Sequence, residues 1–202
     1  MTEVARGSRR RFMQASLGFV GLACLSRPEL ARAGTGGIVE AAKAGLDRIG
    51  DRIPLKDVVG VADFQRPSRE PRLHLVDMAS GRVDSVLVAH GRGSDPDRTG
   101  WLQRFSNDME ADCTSEGAYL TADYYETTKH GQAMQLIGLD PTNNNAVERR
   151  VVVHTAWYVS PEIVRQHGML GRSQGCFVVT GGDLPMVLQR LGPGRLLLAA
   201  KL

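Results

Sequence analysis

From residue 58 to residue 200 the apolar residues come in short, β-branched runs, each broken by Gly, Pro, Asp or Asn. That pattern suits strands and turns, and it leaves little room for long core helices. "VVGVADF" (58–64) reads as a strand broken by "QRPSREPR". "LHLVDMASGRVDSVLVAHG" (73–91) reads as a hairpin: Leu73, Leu75 and Asp77 alternate, Ala79-Ser80-Gly81 turns, and Val83 to Ala89 returns. "GAYLTADYYE" (117–126), "AMQLIGL" (133–139), "RRVVVHTA" (149–156) and "RLLLAA" (195–200) supply further strands. "GRGSDPDRTGW" (91–101) and "DPTNNNA" (140–146) are loops by composition. The 23 glycines and the 5% aromatic content agree with many turns.

Three helices are expected at the edges. Residues 37–50 place Ile38, Val39, Ala42, Leu46 and Ile49 on one face, with Gly50 as the stop. "SPEIVRQHG" (160–168) has Ser160 as cap, Pro161 in the first turn and Gly168 at the end. "GDLPMVLQRLG" (182–192) has Asp183 as cap. At 202 residues the chain is expected to form one main domain, 58–202, preceded by a helical extension, 34–57.

The first 33 residues read as an address. Ser8-Arg9-Arg10-Arg11-Phe12-Met13-Gln14 has the twin-arginine layout, an apolar stretch from Ala15 to Leu25 follows, and Ala31-Arg32-Ala33 is an A-x-A cleavage pattern. The stretch is too short to span a bilayer comfortably. The expectation is a signal peptide over 1–33 and export to the periplasm, with membrane contact only during transit. Gly21-Leu22-Ala23-Cys24 leaves lipidation at Cys24 as a minor alternative. This segment also carries most of the charge. Its six Arg and two Glu give +4, which leaves −1 of the total +3 for residues 34–202. No basic block follows residue 33, so a nucleic-acid partner is not expected.

"GRSQGC" (171–176) ends in a thiol just before the apolar "FVV". Cys176 is open to four readings: packing residue, disulfide partner of Cys113, metal ligand or nucleophile. A chain of this length does not need a disulfide, and neither HExxH nor CxxC is present to suggest zinc. His154 stands near the end of the 149–156 strand, 22 residues before Cys176 with a short helix between. That spacing lets a strand-end imidazole and a loop thiol meet beside one sheet. An imidazole gives a neighbouring thiol thiolate character, which is what nucleophilic attack requires. Amides near Gly175 and Cys176 would then hold the oxyanion.

Five stretches carry a resemblance. They are "LVAHGRGS" (87–94), "FSND" (105–108), "EGAYLTADYYETTKHG" (116–131), "LIGLDPTNNNAVERRVVVHTAWYVS" (136–160) and "HGMLGRSQGC" (167–176). In that order they resemble the murein L,D-transpeptidase catalytic domain family, in its YkuD-like branch. The resemblance implies a mainly β, β-sandwich-like L,D-transpeptidase catalytic domain with short peripheral helices. It implies a Cys176 nucleophile with His154 as its base, framed by Ser173 and Gly175 in the nucleophile loop. Arg172, Gln174, His90 and His130 are the implied substrate-side residues, and core or turn roles compete for the two histidines. Trp101, Trp157, Tyr124 and Tyr125 are candidate contacts to sugar or peptide, with packing as the default for each.

The implied substrate is a peptidoglycan stem peptide. The implied reaction is L,D-transpeptidation through a Cys176 thioester, and thiol acyl transfer of this kind needs no metal or organic cofactor. Hydrolysis of the same bond by an L,D-carboxypeptidase, or a non-catalytic wall-binding module on the same scaffold, are the alternatives. The sequence departs from the family pattern at four positions. Gln174 stands where the better-known branch has a second His, Val178 where it has Arg, Thr155 where it has Gly, and Phe177 where the nearer branch has Pro.

Overall fold

The computed structural model describes residues 1–2, 34–128 and 131–202. The expected signal peptide and the candidate His130 lie outside the described residues. The strand-and-turn pattern gives eight strands: β1 (Val58–Asp63), β2 (Leu73–Asp77), β3 (Val83–Val86), β4 (Gly117–Thr127), β5 (Gly131–Gly138), β6 (Val152–Thr155), β7 (Phe177–Val179) and β8 (Leu196–Ala200). They form one sheet in the order β3-β2-β1-β8-β4-β5-β6-β7. Beyond β3 the chain crosses to the opposite edge, where the Ala89 amide donates to the Val178 carbonyl at 2.9 Å. Ala89 bridges Val178 and Gly91 bridges Ser173. The sheet therefore closes on itself as a near-barrel, and neither edge is left as an open template.

Closure explains why three strands differ from the sequence expectation. The return strand of the hairpin stops at Val86 rather than Ala89, because residue 89 has left to join β7. "FVV" becomes β7, a strand too short to announce itself by alternation. The strand expected from Arg149 begins only at Val152, because Arg150 adopts φ 54° and the turn before it runs on through Arg149.

The interior is filled by Phe64, Leu73, Leu75, Tyr119, Met134 and Phe177 among others. α3 (Leu184–Leu191) adds Leu184, Val187, Leu188 and Leu191 to the same cluster. Asp183 makes no side-chain cap for this helix. Thr180 Oγ1 instead accepts the Asp183 amide at 3.0 Å and donates to Asp183 Oδ2 at 2.7 Å, so the turn closes one step earlier than the sequence suggests.

α1 (Thr35–Ile49) covers the outer face of β1, β2 and β8 with Ile38, Ala42 and Ile49. Both faces of β1 are thus covered, and all six of its residues are buried. Gly50 does not adopt the left-handed stop; it starts a 3₁₀ turn, Gly50–Arg52, at φ −58°. Arg48 locks the helix down by a two-pronged contact with Asp140, at 2.6 and 2.8 Å. α2 (Pro161–His167) follows the expected plan: Ser160 Oγ accepts the Ile163 amide at 3.2 Å, and Gly168 ends the helix at φ 72°.

Candidate active site

β6 and β7 run parallel, with Val153 opposite Phe177, His154 opposite Val178 and Thr155 opposite Val179. Side chains alternate along a strand. Val153 and Phe177 enter the interior, so Val178 and His154 turn the other way. Cys176 precedes Phe177 and packs with the same outer cluster as Val178. Cys176, just before β7, and His154, on β6, therefore lie on the same outer face of this parallel pair.

His154 is only 3% exposed. Its Nδ1 lies 2.8 Å from the Thr155 carbonyl oxygen. A carbonyl can only accept, so Nδ1 carries the proton and the Nε2 of the neutral ring is the acceptor. The contact uses the Thr155 main chain and does not depend on that residue's side chain. The half-buried Cys176 thiol donates to the Arg150 carbonyl at 3.6 Å.

The nucleophile loop is clasped from within. Ser173 Oγ donates to the Cys176 carbonyl at 2.8 Å and accepts the Gly175 amide at 3.1 Å. The Gly175 amide, expected to serve the oxyanion, is thus committed to the loop itself. Gly175 sits at φ 116°, and a Cβ there would lie 2.6 Å from the Cys113 carbonyl oxygen. Arg149 donates to that same carbonyl and to the Ser106 carbonyl and Ser115 Oγ, fixing the floor beneath the loop. Cys113 and Cys176 are both free thiols.

From the other side the loop hangs on residues 90–95. The Ser173 amide donates to the His90 carbonyl at 2.9 Å, and the Arg92 amide to the Ser173 carbonyl at 2.7 Å. The His90 side chain is 1% exposed. The buried ring occupies a place in the core, the role set against substrate contact for this residue. Its Nδ1 accepts from Arg72 at 2.8 Å, and its Nε2 lies 3.6 Å from Asp95 Oδ2. Burial, reinforced by the Arg72 charge, holds the imidazole well below its ordinary range. Arg72 is itself fully buried, donates to the Val88 and Arg66 carbonyls, and is pushed down to about 9 by burial. Burial would raise Asp95, but bonds from Thr99 and Gly100 outweigh it and keep the carboxyl low. Arg172 donates to the Asp95 carbonyl and lines the groove between residues 92–98 and α2. Gln174 is exposed beside Cys176.

Two grooves flank this centre. One, of about 360 Å³, lies between residues 92–98 and α2 and is lined by Arg92, Arg98, Trp157, Tyr158 and Arg172. The other, of about 530 Å³, is lined by Asp123, Tyr124, Tyr125, Gln135, Arg150 and Val152. A bulge makes the second: β4 carries one extra residue between Thr121 and Tyr124, and bulges re-aim side chains. Tyr125 and Tyr158, one per groove, are both raised by burial and then by the nearby Cys176, Tyr158 to about 12. Trp101 is half-buried and does not line either groove. Sequence reasoning missed Arg98, Tyr158, Arg149 and Arg150. Only the Arg149-Arg150 pair ahead of the His strand offered a signal. Among the described residues no cluster of three or more His, Cys, Asp or Glu is placed to hold a metal.

Residues 36–199 match the model of the L,D-transpeptidase catalytic domain. The chain belongs to that family. Its domain is similar to solved L,D-transpeptidases at low identity. One, from Mycobacterium smegmatis, is 13% identical with a TM-score of 0.45, over 71% of this chain and 58% of the other. Another, L,D-transpeptidase 3 from Mycobacterium tuberculosis with a faropenem-derived adduct, is 13% identical with a TM-score of 0.46, over 72% and 60%. The chain spans about three fifths of the length of these structures. No curated protein matches it.

Proposed function

We propose that this L,D-transpeptidase domain is a cysteine acyltransferase acting on peptidoglycan stem peptides. The observation that carries the reading is the shared outer face of Cys176 and His154, with His154 Nδ1 occupied by the Thr155 carbonyl. His154 Nε2 takes the thiol proton, and the Cys176 thiolate attacks the carbonyl at the L-centre of the stem. The tetrahedral intermediate collapses, His154 returns the proton to the departing amine, and a D-amino acid leaves. A thioester on Cys176 remains. The amine of a neighbouring stem then attacks the thioester, loses its proton to His154 and restores the thiol.

The second groove favours an amine acceptor over water, because it gives a second chain a place to lie against Arg150 and Tyr125 beside the thiol. The stem peptide lies outside the cytoplasm, which agrees with the twin-arginine layout of residues 8–14 and a periplasmic location. The test is incubation with a carbapenem and with purified sacculi. A covalent adduct on Cys176 by mass spectrometry, with 3–3 cross-linked muropeptides as product, is the expected result. Loss of the terminal D-amino acid without cross-links would reassign the domain as a carboxypeptidase. No adduct and no product would leave a wall-binding module.

A further inference from the structure

We propose that the groove between residues 92–98 and α2 is a carboxylate-reading subsite, in which Arg98 pairs with a free carboxylate of the bound peptide and Trp157 covers the peptide's apolar side. The identity of the ligand as a stem peptide rests on the acyl-transfer reading; the charge selectivity rests on the groove alone.

The groove's charge is one-sided. Arg92, Arg98, Arg172 and His167 line it, and no Asp or Glu does. Trp157, Tyr158 and Leu170 add apolar surface beside these cationic side chains. The nearby acids do not line the groove. Asp112 holds Arg92 at 2.6 Å, Glu162 pairs with Arg165 at 2.8 Å, and Asp97 is exposed outside the lining. The second groove, by contrast, sets Asp123 against Arg150.

The three guanidinium groups are not equivalent. Arg92 is tied to Asp112, and Arg172 to the Asp95 carbonyl. Arg98 makes no side-chain hydrogen bond or ion pair among the described residues. It sits at φ 55°, a conformation that bulky residues rarely adopt. Asp95 enforces it, taking the Thr99 amide at 2.8 Å on one oxygen and the Gly100 amide at 2.8 Å on the other. Backbone strain persists where surrounding bonds over-determine it, and such positions gather at ligand clamps. Across the groove Trp157 is 83% exposed, braced only edge-on by Tyr158 at 5.8 Å. A large aromatic left open in the same groove as an unpaired guanidinium suits a ligand that is anionic at one point and apolar along its length. A peptide bearing free carboxylates has that chemistry; its carboxamide counterpart keeps the shape and loses the charge.

The experiment uses the full chain carrying Cys176→Ala, which holds peptide without turning it over. Two synthetic stem tetrapeptides, one with free carboxylates and one with carboxamides in their place, are titrated by calorimetry. The acid form is expected to bind roughly tenfold tighter, as a charge-assisted pair would give. Adding Arg98→Gln should bring both to one affinity, Arg98→Lys should retain part of the preference, and Trp157→Ala should weaken both peptides alike. Equal affinities before Arg98 is changed, a preference that survives Arg98→Gln, or no binding of either peptide would overturn the subsite. The carbapenem adduct on the unmodified Cys176 is read separately. Preference without adduct keeps the subsite and removes the acyl-transfer reading; adduct without preference does the reverse.

Discussion

Ser173 and Cys176 are joined across the turn by a 2.8 Å bond from the Ser173 hydroxyl to the Cys176 carbonyl, and the same hydroxyl takes the Gly175 amide. One side chain thus sets the main-chain path into the nucleophile. Ser173→Ala leaves a buried amide without its partner, which costs about 1–3 kcal/mol. The expected outcome is a lowered urea midpoint together with slower adduct formation on Cys176. Unchanged adduct kinetics in a destabilised variant would show that the clasp holds the fold but does not aim the thiol.

Gly175→Ala tests the other constraint on the loop. The position needs φ 116°, and the new methyl would meet the Cys113 carbonyl at 2.6 Å and Arg149 at 2.9 Å. Strain of this kind costs about 1–3 kcal/mol before the clash is counted. Both melting temperature and adduct rate should fall. Gly181→Ala is the control, since its nearest neighbour would be Thr155 Oγ1 at 3.6 Å, an ordinary contact.

Much of this fold was legible because its signals are local. The β-branched run around His154, the cap at Ser160 and the left-handed Gly168 are each written in a few adjacent residues, and each forms. What was not legible depends on closure. Nothing in "LVAHGRGS" announces that Ala89 will pair with Val178, and that pairing is what turns His90 inward onto Arg72. Arg72 itself sits in a stretch read as a polar breaker, yet it is fully buried with Phe64 beneath its guanidinium at 4.9 Å. The spacing of Cys176 and His154 was on view as a candidate pair, whereas the grooves on either side were not. They depend on a bulge in β4 and on a left-handed Arg98, and neither leaves a mark in composition.

His154→Ala should slow acyl-enzyme formation by roughly 10²–10⁴, the usual worth of a positioned base. The melting temperature should fall only by a few degrees, since the buried ring and its bond to the Thr155 carbonyl are lost but the fold is not. His154→Gln separates orientation from basicity. Its amide can still bond the Thr155 carbonyl, but it cannot accept and return a proton. Stopped-flow measurement of adduct formation should therefore show a comparable loss of rate in both variants. A full rate in His154→Gln would remove the base role.

His74 gives the domain an acid limit set apart from catalysis. It is 5% exposed on β2, bonded through Nδ1 to Ser85 Oγ at 2.7 Å. Burial, and then the charge of Arg66, lowers it from 6.5 to about 4. The folded state therefore keeps the ring neutral where the unfolded chain already protonates it. Between pH 6.5 and about 4 the unfolded state binds more protons, so stability falls as the pH drops through that window and is fully present above it. His90 is depressed in the same direction and adds to the slope. Asp140, lowered by its bond to Arg48, acts in a separate window: its stabilisation is present above the unfolded carboxyl range and is lost only at more acid pH. Melting temperature should be level above pH 6.5 and fall by several degrees on the way to pH 4, and His74→Gln should flatten part of that fall. A parent protein whose melting temperature holds level down to pH 4 would mean that these imidazoles titrate in the fold much as they do in water.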